Sequence, residues 1–215
     1  MPAKKKARVV ILEGSWDKHH EASKIYPYFE AMSKTFPKDV DIDHRTFRNL
    51  DDIEHYTKAL ERNAGVMLYF ACHGNDGELC PVKGVSIPMT DVAAALGRAK
   101  TGAIDFVHFG ACEMVTHGQR RASHELIMEK SGAVWVSGYT QAVDWLPSTC
   151  LDLLLTMQTF VPQFGIEDGR ARRLLPTARQ FFKNNDQLAR NLGLSALVQG
   201  ASKTRLFPSG LHQPK

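Results

Sequence analysis

Two apolar runs, Val66 to Gly74 (VMLYFACHG) and Ile104 to Met114 (IDFVHFGACEM), constrain this chain more than anything else in it. A strongly apolar stretch without polar alternation reads as a strand buried on both faces, the signature of a parallel sheet covered by helices. Each run ends abruptly in a reactive side chain, His73 in the first and Cys112 in the second. The space just past the carboxyl ends of such strands is where open α/β sheets place their ligands. The sequence therefore sets a histidine and a cysteine where chemistry is usually done.

The surrounding pattern agrees with a sheet of this kind. Arg8 to Leu12 is a short apolar strand, and Ala22, Ile25, Phe29 and Met32 recur at helical spacing, predicting a helix from His19 to Lys34 that Pro37 ends. Val40 to Phe47 reads as a polar-sided strand toward a sheet edge. Ile53, Tyr56 and Leu60 mark a second helix, with Asp51 and Asp52 at its positive N-terminal end. After the strand Gly65 to Cys72 comes a glycine-rich loop, His73 to Gly84, then a helix from Thr90 to Lys100 and the strand Ala103 to Phe109. A helix from Gln119 to Lys130, stopped by Ser131-Gly132, leads to a strand at Ala133 to Ser137.

Beyond Tyr139 follow a short loop and an apolar helix from Pro147 to Phe160 with almost no polar face, which should lie buried against the sheet. Asp168 to Leu192 reads as helical and Leu194 to Gln199 as a final short strand. Residues 1–7 and 202–215 are expected to be flexible ends. Alternating strands and helices with short links imply right-handed βαβ units. The prediction is one three-layer α/β/α domain, 1–215, with a mostly parallel central sheet of about six strands.

Composition narrows the function classes. At 215 residues the chain can build a full core, and no stretch approaches the length of a membrane span, so no membrane partner is expected. The basic start is too short and too soon followed by Glu13 to be a signal peptide. The net charge of +4 comes without aromatic interleaving or a nucleic-acid motif, so no nucleic-acid partner is expected either. Cys72, Cys80, Cys112 and Cys150 show no CxxC spacing, which points to a reducing, cytoplasmic setting and to no metal site. No Gly-rich phosphate motif follows any strand, and no cofactor is expected.

A free cysteine titrates near pH 8.5, so a thiolate nucleophile needs a base or cation beside it. Strands separated by one crossover helix are most simply neighbours, about 5 Å apart. His73 and Cys112 would then face each other over one substrate. Gly74 adds an N–H with no side chain in the way and, with the Cys112 N–H, could bind a developing oxyanion. Cys72 and Cys150 read as core residues, and His108, inside its strand, as a core histidine. His117 is a rival base near Cys112.

The pairing of YFACHG with HFGACE resembles the caspase-like (clan CD) cysteine peptidases, which include caspases, legumain, clostripain, separase and the bacterial CHAT proteases. The resemblance covers the order of elements from Arg8 to Phe160 and is nearest in pattern to the CHAT, separase and legumain types. It implies a cysteine endopeptidase with His73 as general base, Cys112 as nucleophile, and the Gly74 and Cys112 amides as oxyanion hole. Gly110 stands where caspases carry Gln, and Glu113 after the cysteine is more like legumain, which argues against caspase-type aspartate specificity.

The segment VWVSGYTQAVDWLPSTCLDLLLTMQTF is similar to the CHAT and separase pattern of strand, acidic loop and apolar helix. That match places Asp144 where the family keeps a carboxylate for a basic P1 side chain, consistent with bidentate binding of Arg. Two roles are open for Asp144, this one and capping of the next helix. Glu113 and Asp76 are the other carboxylates assigned to the substrate. Asp76 and Glu78 either orient His73, line the pocket or form a solvated turn.

The implied partner is a protein substrate, with an activating partner or self-processing near Arg170, Arg172 and Arg173, in a monomer or homodimer. The resemblance also implies a setting in bacterial cell death or antiphage defence. The competing reading is a catalytically silent module that binds a partner through the same cleft.

Overall fold

The structure, a computed structural model, describes residues 6–15, 24–115, 119–163 and 170–208, with the side chains of 170–173 outside that description. In chain order the elements are β1 (Ala7–Glu13), α1 (Tyr26–Thr35), β2 (Val40–Thr46), α2 (Leu50–Ala59) and β3 (Val66–Ala71). Three short strands follow, β4 (His73–Asn75), β5 (Glu78–Cys80) and β6 (Ile87–Pro88), then α3 (Met89–Leu96), β7 (Ile104–Phe109), α4 (Arg120–Ser131) and β8 (Trp135–Tyr139). The chain continues with α5 (Trp145–Leu155), α6 (Arg170–Asn184), α7 (Asp186–Asn191), β9 (Leu194–Gln199) and β10 (Thr204–Phe207).

The main sheet has seven strands in the order β10-β9-β8-β7-β3-β1-β2. Neighbours from β2 to β8 run parallel, whereas β9 is antiparallel to β8 and β10 to β9. The mostly parallel sheet is thus as predicted, and the seventh strand lies in the tail expected to be loose. Phe207 in β10 is buried and its ring stacks on Phe182 at a centroid distance of 5.4 Å, which ties this tail to α6. The other end departs from expectation as well, since Ala7 is buried and already pairs with Val40.

Alternate residues of each strand feed two cores, as the period of two requires. Val9, Ile11, Met67, Tyr69, Phe106 and Trp135 pack with α1, α5, α6 and α7. Val10, Leu12, Leu68, Phe70, Val107 and Phe109 pack with α2, α3 and α4 on the opposite face. Full burial of such side chains contributes about 1.5–3 kcal/mol each. This double burial is why the runs in β3 and β7 carry no alternation, and it makes the three-layer arrangement inevitable.

Local chemistry sets the helix ends. The Asn49 side chain accepts the Asp52 N–H at 3.0 Å to open α2, while Gly132 (φ 71°) closes α4. Helix α1 opens at Tyr26 with Pro27 in its first turn; the earlier start predicted at His19 lies outside the described residues. The apolar helix α5 is α-helical only to Leu155, then widens to a π-turn over Thr156–Phe160. There Thr156 and Thr159 hydroxyls donate to the carbonyls of Asp152 and Leu155, at 2.8 and 2.6 Å, within the same helical stretch. Cys150, read as a core residue, is exposed: it shares one helix face with Leu146 and Leu154, while Leu151 and Leu155 take the buried face.

Candidate active site

Strand β3 pairs directly with β7, with Phe70 opposite Phe109, and the Gly110 N–H donates to the Phe70 carbonyl at 2.9 Å. Both predicted chemical residues therefore leave the sheet from adjacent strands at the same end. The sheet order also turns here, since β1 has β2 on one side and β3 on the other. That reversal opens a crevice at the carboxyl ends of the strands.

The stretch after His73 is not the loop its glycines suggest. Asn75 pairs with Glu78 across a two-residue turn, with Asp76 at φ 44° and Gly77 at φ 82°, which is a tight type I′ hairpin. β6 adds to its second strand to make a small antiparallel sheet. The residues flanking such a turn form the hydrogen-bonded pair, so Gly74 opposite Leu79 is non-hydrogen-bonded. Its N–H consequently points off the outer edge of β4, away from β5.

The hairpin is bound to the cysteine turn at two points. The Gly77 N–H donates to the Glu113 carbonyl at 2.9 Å. At Gly74, an added Cβ would overlap the Cys112 carbonyl oxygen and stand 3.1 Å from Ala111 Cβ. Only glycine permits that approach of backbone to backbone. The His73-Gly74 and Ala111-Cys112 dipeptides are therefore packed against each other.

The turn that carries Cys112 is itself tightly held. Glu113 takes a left-handed conformation (φ 51°), its N–H donates to the Gln141 carbonyl at 3.2 Å, and the Val115 N–H donates to Tyr139 at 3.1 Å. The Val143 N–H points at Cys112 Sγ at 3.4 Å, and the thiol can donate to the Val143 carbonyl at 3.8 Å. Asp144 is the next residue, exposed, and its side chain makes no bond to the helix N-terminus, so the capping role is not realised. Asp76 is exposed at the hairpin turn and Glu113 is half-buried beside Cys112. His117, the rival base, lies outside the described residues.

Two other thiols lie beside His73. Cys72 is buried, as predicted, and burial holds its thiol well above the usual range; its Sγ–H donates to the His73 carbonyl at 3.1 Å. Burial, then the Glu78 charge, also raises Cys80. All four cysteines are free. Among the described residues no cluster of three His, Cys, Asp or Glu is arranged to hold a metal, and no helix is long and apolar enough to cross a membrane.

Beneath the site lies a polar cluster that the sequence did not reveal. Asp152, in α5, accepts from Tyr69 at 2.5 Å, from Tyr139 at 2.6 Å and from His108 Nε2 at 2.7 Å. Ser137 Oγ accepts from Trp135 Nε1 at 3.0 Å, which leaves its hydroxyl to donate to His108 Nδ1 at 2.8 Å. All six side chains are essentially inaccessible. Burial, reinforced by the Asp152 charge, pushes both tyrosines well above the usual phenol range. His108 is thus a core histidine, as its place in β7 suggested. The Tyr69 hydroxyl reaches the underside of Gly110, where a Cβ would overlap it, so the cluster abuts the turn that presents Cys112.

A second buried acid pins the neighbouring strand end. Glu13 closes β1, accepts the Ile25 N–H at 2.7 Å and pairs with His44 Nε2 at 2.8 Å. The Gly14 N–H meanwhile donates to the Ala71 carbonyl at 2.8 Å and the Ser15 N–H to Pro81 at 2.6 Å.

The sequence matches no family model and no curated protein. Solved structures do resemble it. A secreted C11 cysteine protease from Bacteroides thetaiotaomicron, solved in complex with an irreversible peptide inhibitor, is similar over 90% of this chain at 11% identity, with a TM-score of 0.54. The chain has the fold of a C11 cysteine protease. A second structure of such a protease from that organism, called iotapain, aligns over 90% of this chain at 10% identity and a TM-score of 0.52. This chain covers 65% and 66% of those two proteases. Protein GSU0716 from Geobacter sulfurreducens aligns over 98% of this chain and 95% of its own, at 13% identity and a TM-score of 0.45.

Proposed function

We propose that this chain is a cysteine endopeptidase in which His73 and Cys112 form the dyad. The observation that carries the reading is the backbone contact of Gly74 with Cys112, which sets the two dipeptides side by side at the carboxyl ends of adjacent strands. The fold shared with C11 cysteine proteases supports it. Cys112 Sγ attacks the scissile carbonyl carbon, forming a C–S bond, while its proton passes to His73. The Gly74 N–H, aimed off the hairpin edge, and the Cys112 N–H receive the oxyanion. Collapse breaks the C–N bond as His73 returns the proton to the departing amine, and water, deprotonated by His73, then hydrolyses the thioester.

Asp144 is the P1 determinant of this reading, selecting Arg or Lys. It follows Val143, whose backbone brackets the nucleophile, and its carboxylate is not used as a cap. Asp76 and Glu113 add negative charge at the rim of the same site. A protein cut after a basic residue is the substrate, and bacterial cell death or antiphage defence is the setting that the sequence resemblance implies.

The test uses a peptide acyloxymethyl ketone with Arg at P1. The expected result is one covalent adduct, lost in Cys112→Ala, and at least a tenfold drop in cleavage after Arg in Asp144→Ala, equivalent to about 1.4 kcal/mol of transition-state binding. No labelling of the wild-type chain would favour a silent binding module, and labelling that survives Cys112→Ala would overturn the assignment.

A further inference from the structure

A cavity of about 570 Å³ opens on the side of His73 away from the cysteine turn, walled by Ser15, Asn75, Glu78, Lys83 and Ser86 as well as by the imidazole. None of the residues from Gly110 to Val115 or from Tyr139 to Asp144 lines it. Its position follows from the fold. Ser15 continues β1 and His73 continues β3, so the cavity lies in the crevice where the sheet order reverses. The hairpin register supplies one wall: His73 opposes Cys80 and Asn75 opposes Glu78, so these side chains share a face, while Leu79 turns into the core and Gly74 toward Cys112.

We infer that this cavity receives the residues after the scissile bond and that Lys83 selects an acidic side chain there. The inference rests on the peptidase reading above. Acylation requires the base to deliver a proton to the departing amine nitrogen, so the leaving half of the substrate lies on the imidazole side of the nucleophile. The cavity bounded by His73 and not by the cysteine turn is the space available to it.

The polarity of that space comes from two charges in different states. Glu78 keeps its charge, but its carboxylate is held by the Ser86 hydroxyl, which donates to it. Lys83 sits on the turn closed by the Val85 N–H bond to Val82 at 3.1 Å, next to left-handed Gly84 (φ 81°). It is exposed and makes no ion pair among the described residues. The unengaged charge is positive, the opposite of the carboxylates Glu113 and Asp144, which follow Cys112 and the Val143 that touches its sulfur. A substrate that is basic before the cut and acidic after it matches both.

The experiment compares kcat/KM for quenched peptides with Arg before the bond and Asp, Ala or Lys at the first or second position after it. The wild-type chain should prefer Asp over Lys roughly tenfold at one of these positions, because attraction and repulsion at an exposed charge both enter the ratio. Lys83→Met should bring the ratio close to unity and Lys83→Glu should invert it. Each ratio is taken within one variant, so a loss of folded protein does not move it. A preference for Asp that survives Lys83→Glu, or no preference in the wild type, overturns the inference while leaving the peptidase reading standing. Failure of the wild-type chain to label with the Arg ketone overturns both.

Discussion

Replacing Asp152 should reveal how much of this fold rests on the polar cluster beneath the cysteine turn. Its two carboxylate oxygens accept from Tyr69, Tyr139 and His108, and 1% of the residue is exposed. Asp152→Ala removes all three acceptor contacts at once. Tyr139 keeps a bond to the Ser148 carbonyl at 3.2 Å, but Tyr69 and His108 Nε2 lose the partner shown for them. An orphaned buried donor costs about 1–3 kcal/mol, and the cavity left by the carboxylate adds to it, so a loss of roughly 3–5 kcal/mol is expected. Asp152→Asn keeps the shape and one acceptor oxygen, and should lose about 1–2 kcal/mol as the Tyr69 hydroxyl turns to accept from the new amide. Urea unfolding followed by circular dichroism measures both, from the midpoint at constant slope. The reasoning is refuted if Asp152→Ala is no less stable than Asp152→Asn.

Two further predictions concern His124 and Gly74. His124 is buried against Ser195 Oγ at 3.1 Å, and burial, followed by the positive charge of Arg120, lowers its pKa to about 3. Below pH 6.5 the unfolded chain takes up a proton that the folded chain refuses, so stability is complete above that pH and falls by about 1.4 kcal/mol per unit toward pH 3. Between pH 7 and pH 5 the loss should be about 2 kcal/mol greater for the wild type than for His124→Gln; equal losses would count against it. Gly74→Ala forces a Cβ into the Cys112 carbonyl oxygen, and should slow adduct formation with the Arg ketone about 100-fold by displacing Cys112. A variant that labels as fast as the wild type would rule out that packing.

What was legible in the sequence was whatever burial writes into side-chain type. Val66 to Ala71 and Ile104 to Phe109 are buried on both faces and therefore uniformly apolar, which identified the central parallel strands and the end at which His73 and Cys112 emerge. The hairpin after His73 was hidden because strands of three residues are too short to show alternation, although Asp76-Gly77 is the dipeptide that a type I′ turn demands. Cys150 was misjudged and Asp152 passed unremarked for one reason: α5 is so apolar that its period is invisible, and the one carboxylate within it is the buried hub. The Val143 N–H at Cys112 Sγ is backbone chemistry, which no residue type announces.

The Glu13 clamp has a consequence for how such a chain can diversify. Ser15 is held to Pro81 on one side and Ile25 to Glu13 on the other, so the two ends of segment 16–23 are anchored independently of its contents. Because Ser15 also walls the cavity beside His73, a change at Ser15 would reshape that cavity without moving the sheet. The Ser15 end of β1 is thus a place where a substitution could retune the cavity while the Glu13 anchor keeps the scaffold as it is.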